Sequence, residues 1–200
     1  MVRLQKVGLI VFPGMEELDL VGVWEVLGAT NRLFEEHILL EKLFQFETLG
    51  ATLDIVKCAH GLSILPDKVI KDLMQYDVIV VPGGPGRNLV MENKILLDEI
   101  RRAHRAGKLI CSVCTGTFVL AEAGILKGKM ATTFHTQLGR LSDYGIIPVR
   151  ERVVSEDNIL TGAGIAASID VGLRLVEIFY GNEAAEKVAQ WIEYQPYRKF

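Results

Sequence analysis

The chain has 200 residues, half of them hydrophobic, and its 22 basic and 25 acidic side chains give a net charge of −3. This length is typical of one well-packed domain, so we expect a single domain over residues 1–200. The charge balance indicates no partner surface for nucleic acid or for an anionic membrane. No segment approaches the roughly 18 apolar residues of a membrane-spanning helix.

The cysteines and the N-terminus indicate the compartment. Three cysteines are too few for a disulfide framework and favour a reducing environment. The apolar run "VGLIVF" is shorter than the core of a signal peptide, and Pro13-Gly14 ends it where a first strand would end. We therefore expect a cytoplasmic protein.

Continuous apolar runs alternate with helical patterns along the chain. Buried parallel strands are predicted at Val7–Phe12, Asp77–Gly84 and Lys108–Val113. Helices are predicted from Glu16 to about Asn31, over Asn93–Ala106 and from about Ile165 to Tyr180, with Gly107 and Gly181 as stops and Asn182 as the cap of a last helix. Strands and turns are predicted over Phe44–Leu65, and a hairpin that turns at Glu156–Asn158 over Arg150–Gly164.

This order of elements predicts an α/β fold, a doubly wound and mostly parallel sheet sandwiched by helices. In such sheets the chemistry lies beyond the carboxyl ends of the strands. Three segments fall at such ends: Pro13–Glu17, Pro82–Gly86 and the residues around Cys114.

The segment Ser112–Gly116 has the small-x-nucleophile-x-Gly pattern of a nucleophile elbow, with Cys114 at its centre. Unpaired N–H groups and the dipole of the following helix favour a thiolate at this position. A redox pair with Cys111 is a weaker alternative, because Cys111 falls inside the strand and neither Pro nor Gly opens the turn between them. A purely structural, buried Cys114 is the other alternative.

A cysteine nucleophile needs a proton-handling partner. His37 and His104 lie in polar helical surroundings and are predicted to be solvated, and His60 has no evident role in its turn. His135 follows a predicted strand and either reaches the site or is an ordinary loop residue.

Three carboxylates, Glu16, Glu17 and Asp19, open the first predicted helix. Acidic residues in a first turn stabilise the helix dipole without any further role, and composition does not choose among the three. The loop Pro82–Gly86 lacks the spacing of nucleotide-binding loops, although such a glycine turn can present N–H groups to a developing negative charge.

Five motifs in register resemble the ThiJ/PfpI superfamily, which has the class I glutamine amidotransferase-like fold, and within it the isocyanide (isonitrile) hydratases. They are F-P-x-x-x-x-L-D at Phe12–Asp19, P-G-G-x-G at Pro82–Gly86, S-V-C-T-G at Ser112–Gly116, A-T-T at Ala131–Thr133 and E-Y-x-P at Glu193–Pro196. The resemblance covers nearly the whole chain.

By position, the resemblance implies that Cys114 is the nucleophile, Asp19 the carboxylate facing it, and Thr115 a hydrogen-bonding partner near the thiolate. It also implies an oxyanion or substrate pocket that includes the Thr115 amide and the residues Gly83, Gly84 and Ile165. Asp at position 19 and Thr at position 115 favour the hydratase branch. The branch pattern A-T-T-H-W reads Ala131-Thr132-Thr133-Phe134-His135 here, which shifts the histidine by one place and to the opposite face of an extended segment.

The implied activity is hydration of an isocyanide to an N-substituted formamide through a covalent thioimidate, with no metal and no cofactor. The partners are then a small-molecule electrophile and, as in other members of the superfamily, a second copy of the chain. The alternatives are glyoxalase or deglycase chemistry on small α-oxoaldehydes, and a non-catalytic domain that senses oxidants through Cys114.

Overall fold

The computed structural model describes residues 4–39 and 44–195. Residues 1–3 of the N-terminal segment and Pro196 of the last motif lie outside these ranges. The strands of the described residues are β1 (Gln5–Ile10), β2 (Phe44–Gly50), β3 (Val56–Lys57), β4 (Ser63–Ile64), β5 (Lys68–Val69), β6 (Val78–Val81), β7 (Leu109–Val113), β8 (Met130–Ala131), β9 (Ile147–Pro148), β10 (Val153–Glu156) and β11 (Ile159–Gly162).

Seven of these strands form one sheet in the order β10-β11-β7-β6-β1-β2-β5. Every neighbouring pair is parallel except the hairpin β10–β11 at one edge. The apolar runs of the sequence form its centre, where Leu9, Ile79 and Ile110 are fully buried. Such strands carry no polar alternation because both faces of the sheet are covered.

The helices are α1 (Glu17–Glu35), α2 (Arg87–Met91), α3 (Lys94–Arg105), α4 (Thr117–Glu122), α5 (Ala167–Tyr180) and α6 (Asn182–Trp191). One group comprises α1, α5 and α6, and the other comprises α2, α3 and α4. Strand β7 contacts α5 from the first group and both α3 and α4 from the second, so the sheet lies between two helical layers. The predicted doubly wound α/β fold is therefore confirmed.

Most predicted elements are present within a few residues of their expected bounds. The stop at Gly107 follows α3, whose first turn is capped by the Asn93 side chain accepting from the Leu96 N–H at 3.1 Å. Helix α1 continues past Asn31 to Glu35, because Leu33 extends its buried face. Asn31, the predicted end of this helix, lies inside it. Its side chain donates to the Phe44 carbonyl and accepts from the Phe44 N–H at the start of β2.

The predicted cap at Asn182 is wrong. Gly181, with φ 84° and ψ 167°, both ends α5 and precedes α6, so no residue is left between the two helices for a side-chain cap. Asn182 is the first residue of α6, and its amide donates to Glu186 Oε1 at 2.6 Å.

Candidate active site

Cys114 stands at the carboxyl end of β7, with a backbone conformation that side chains rarely adopt. Its φ is +54°, and the chain continues as a 3₁₀ turn over Cys114–Gly116 into α4. The Cys114 N–H donates to the Ala163 carbonyl at 2.7 Å, and its carbonyl accepts from Thr133 Oγ1 at 2.7 Å. These two bonds hold the strained residue from both sides, so its side chain has a fixed position.

Asp19 is the carboxyl group beside this thiol. It is 0 % exposed on α1, and Oδ2 accepts from the Gly83 N–H at 2.8 Å. Oδ1 has no oxygen or nitrogen partner among the described residues, and the neighbouring Cys114 thiol interacts with the carboxyl. Burial raises the pKa of Asp19 from 3.8 to about 8, and the nearby charge of Glu16 adds to the increase. Asp19 therefore exchanges a proton near neutral pH.

Three hydrogen-bond donors favour the thiolate form of Cys114. They are the backbone N–H groups of Thr115 and Ile165 and the Thr115 hydroxyl, and each of them lowers the pKa of the thiol. Burial and the charge of Asp19 outweigh them and raise the pKa of Cys114 to about 12. The N–H groups at the elbow favour the thiolate as expected, but their effect is outweighed, because Cys114 is only 6 % exposed and lies beside a carboxyl group.

The glycine loop after β6 does not point its N–H groups at the sulfur. The Gly83 N–H is bonded to Asp19, and the Gly84 N–H donates to Thr115 Oγ1 at 3.0 Å. Gly84, at φ +113°, is folded so closely against the chain that a Cβ would lie 2.4 Å from the Glu16 nitrogen. The implied place of Gly84 as an oxyanion donor is corrected accordingly: this N–H orients the Thr115 hydroxyl, which leaves that hydroxyl's proton for the sulfur.

The other two acids at the start of α1 have a different environment. Glu17 Oε1 accepts from the His60 N–H at 2.6 Å, and Oε2 lies 2.9 Å from His60 Nδ1. Glu16 Oε1 lies 3.4 Å from the same ring nitrogen. These contacts anchor the loop between β3 and β4 to α1, and the hydrogen bond to Glu17 raises the pKa of His60. His60, which had no evident role in the sequence, thus anchors this loop.

None of the groups that shift the pKa of Cys114 is a histidine. His135 is exposed, and its ring lies 4.5 Å from that of Phe134. Sequence reasoning missed Thr133, which holds the Cys114 carbonyl, and the signal available for it was the A-T-T motif.

Replacing Gly83 by alanine should damage this site. An added Cβ would lie 2.5 Å from the Thr115 nitrogen and 2.6 Å from Thr115 Oγ1, so the loop and the elbow must separate. We expect the free energy of unfolding to fall by about 2–3 kcal/mol, which is the usual cost of overpacking. Urea denaturation measures this, with Gly139→Ala as the control, since nothing lies within 4 Å of a Cβ at Gly139. A Gly83→Ala protein as stable as the control would contradict the close approach.

Fold and site together define an α/β protein in which a cysteine at a strand–helix elbow faces a buried carboxyl group. The DJ-1/PfpI family pattern matches residues 5–178. The chain is 36% identical over 191 residues to an isonitrile hydratase of Pseudomonas putida, covering 96% of this chain and 79% of that one. It is also 28% identical over 183 residues to a glutathione-independent glyoxalase, DJR-1.2, of Caenorhabditis elegans, covering 90% and 91%.

Among solved structures, a ThiJ/PfpI family protein from Pseudomonas syringae superposes with a TM-score of 0.84 at 30% identity, covering 100% of this chain and 78% of that one. The chain belongs to the DJ-1/PfpI family. The family includes both hydratases and glyoxalases by name, so membership alone leaves the reaction open.

Proposed function

We propose that the protein hydrates an isocyanide to an N-substituted formamide, with Cys114 as the nucleophile and Asp19 as the proton carrier. The observation that carries this proposal is the fully buried carboxyl group of Asp19, which interacts with the Cys114 thiol and whose pKa burial raises to about 8. A group with such a pKa both takes and gives a proton near neutral pH. The identity to an isonitrile hydratase supports the same reaction.

The first step forms a covalent intermediate. Asp19, as the carboxylate, takes the S–H proton of Cys114, and the N–H groups of Thr115 and Ile165 stabilise the thiolate. The sulfur attacks the terminal carbon of R–N≡C, and Asp19 returns the proton to that carbon. The product is the thioimidate R–N=CH–S–Cys114, with Asp19 again ionised.

The second step consumes water. Asp19 takes one water proton while the oxygen attacks the thioimidate carbon, and the nitrogen receives that proton. In the collapse of this adduct, Asp19 carries the hydroxyl proton to the sulfur as the C–S bond breaks. R–NH–CHO leaves, and the Cys114 thiol is restored. Side chains supply every proton transfer in this scheme.

Incubation with cyclohexyl isocyanide in ¹⁸O-labelled water tests the reaction. We expect N-cyclohexylformamide carrying the label in its formyl oxygen, detected by mass spectrometry, at a rate far above that of the heat-denatured protein. Formamide at only the background rate would overturn the proposal.

Glyoxalase chemistry is the second candidate, since the chain is 28% identical to a protein named for it. It would use the same thiol on a small α-oxoaldehyde. Asp at position 19 and Thr at position 115 count against it. Turnover of methylglyoxal without turnover of isocyanides would select this candidate.

We further propose that the protein works as a homodimer. Ile55 and Leu65 flank the paired residues Val56 and Ile64 of the hairpin β3–β4, and they are 65% and 67% exposed. Exposed apolar side chains side by side on one hairpin are typical of a contact surface.

In the described residues no helix is long and apolar enough to cross a membrane.

Replacing Ile55 and Leu65 together by aspartate should convert the dimer to a monomer of 22.2 kDa, because a charged hairpin cannot be buried against a second copy. Light scattering after gel filtration measures the mass. Ile95→Asp is the control, since Ile95 is 79% exposed on α3, and it should leave the dimer intact. A dimer that survives the hairpin double variant would exclude this surface.

A further inference from the structure

Phe134 borders the backbone segments that hold Cys114. The residue before it, Thr133, donates its hydroxyl to the Cys114 carbonyl at 2.7 Å. The Phe134 ring packs on Gly164, where an added Cβ would lie 2.6 Å from Phe134 Cδ2. The backbone N–H of Ile165, which follows Gly164, lowers the pKa of the Cys114 thiol. Phe134 thus follows a residue that bonds the Cys114 carbonyl, and its ring packs on the segment that precedes Ile165.

A wide groove is lined by Phe134 and by Thr133 and Ala163, which bond the backbone of Cys114. Its volume is about 2030 Å³, and Phe134, Leu138 and Ile165 line it with partly buried apolar surface. Ligand pockets usually measure about 300–1,000 Å³, so this groove has room for a substituent well beyond a small alkyl group.

The groove also contains a polar cluster that is paired within itself. The Arg152 guanidinium donates to Asp170 Oδ2 and, at 3.1 Å, to the Tyr194 hydroxyl, which donates to Asp170 Oδ2 at 3.0 Å. We call the partly buried apolar surface that Phe134, Leu138 and Ile165 contribute to the groove the Phe134 wall.

We propose that the Phe134 wall selects isocyanides with an aryl substituent, whose ring packs against Phe134 while the terminal carbon meets the Cys114 sulfur. This inference rests on the proposed hydratase function. Offset or edge-to-face packing stabilises an aromatic pair by more than the burial of its apolar area alone. An ethyl group has no ring for such packing, and a histidine at position 134 would replace the apolar ring by a polar one.

The test compares kcat/KM for phenyl isocyanide and ethyl isocyanide in the wild type, Phe134→Ala and Phe134→Tyr. The change in the phenyl/ethyl ratio between proteins cancels the intrinsic reactivities of the two compounds. We expect Phe134→Ala to lower the ratio about 10-fold and Phe134→Tyr, which keeps the ring, to hold it within about 2-fold. A merely structural disturbance of Ile165 would slow both substrates alike, and an unchanged ratio in Phe134→Ala would overturn the inference.

A second measurement separates this inference from the proposed reaction. Alkylation of Cys114 by iodoacetamide and by its N-phenyl derivative, followed by peptide mass mapping, needs no hydratase activity. We expect the wild type to favour the N-phenyl reagent and Phe134→Ala to lose that preference. If isocyanides are not turned over but this preference follows Phe134, the hydratase proposal fails and the aryl wall stands. If turnover occurs and neither ratio depends on Phe134, the reaction stands and the aryl wall is overturned.

Discussion

Cys114→Ala should remove formamide production, with a loss of roughly 10³-fold or more in kcat. The alanine lacks the sulfur that forms the thioimidate, and no other described cysteine is placed to replace it. Cys111 lies within β7 at 0 % exposure, and Cys58 is also buried, in the loop that Glu17 anchors. Rates with phenyl or cyclohexyl isocyanide measure the loss, and circular dichroism verifies that the fold is kept.

Cys111→Ala is the matched control for this experiment. It should keep turnover near that of the wild type and lose about 1 kcal/mol of stability, because a small buried side chain leaves a small cavity. Burial raises the pKa of the Cys111 thiol, which keeps it unreactive. Loss of turnover in both variants would revive the redox pair, and retention of turnover in Cys114→Ala would refute the covalent mechanism.

Asp19→Asn should abolish turnover and at the same time stabilise the protein at high pH. The amide keeps the shape of the carboxyl group and still accepts the Gly83 N–H, but it cannot carry a proton, so we expect a loss of about 10²–10⁴-fold in kcat/KM. In the wild type, the reactive pair holds a single proton between Asp19 and Cys114. The fraction of protein with a singly protonated pair grows as pH rises towards about 8, and kcat/KM should rise with it. Residual activity of the asparagine variant should lack this rise.

The stability change follows from the same pKa. Asp19 titrates near 3.8 when unfolded and at about 8 when folded, so between these values the native protein binds more protons than the unfolded chain. Wild-type stability therefore falls as pH rises through this window. Asparagine removes that loss, so the stability advantage of Asp19→Asn over the wild type should approach roughly 6 kcal/mol above pH 8 and vanish below pH 4.

Thermal unfolding at pH 5, 7 and 9 measures this difference. We expect the melting temperature of Asp19→Asn to exceed that of the wild type by roughly 10–20 °C at pH 9 and by only about 3–6 °C at pH 5. Glu25→Gln, which changes an exposed carboxylate on the same helix, should show neither effect. An active Asp19→Asn protein would overturn the catalytic role of Asp19. An equal stability gain at every pH would show that the Asp19 carboxyl group does not titrate over this pH range in the folded protein.

Which acid faces the cysteine was decided by the tertiary structure. Glu16, Glu17 and Asp19 are equivalent as a composition, and only the resemblance to a known family selected Asp19. In the folded chain Glu17 turns to the loop that carries His60, whereas Asp19 turns inward to Gly83, 64 residues away along the sequence. No local pattern encodes that contact, and the pKa of the carboxyl group depends on it and on burial.

The donors around the sulfur show the same division. The elbow at Ser112–Gly116 could be read from small residues next to a strand, because a sharp turn tolerates no others. The hydrogen bond from the Gly84 N–H to the Thr115 hydroxyl, and the effect of the Ile165 N–H on the thiol, follow from the packing of three chain segments that are far apart in the sequence.

The sequence by itself determined the class of the fold, since continuous apolar runs, glycine stops and a hairpin turn are local consequences of burial and backbone geometry. It also marked Cys114 as the residue at the elbow. Only the tertiary structure decided the protonation of that cysteine, the partner of each carboxylate, and the position of Phe134 rather than His135 against Gly164. These properties depend on desolvation and on contacts between residues far apart in the chain, which arise only once the sheet and its helices have assembled.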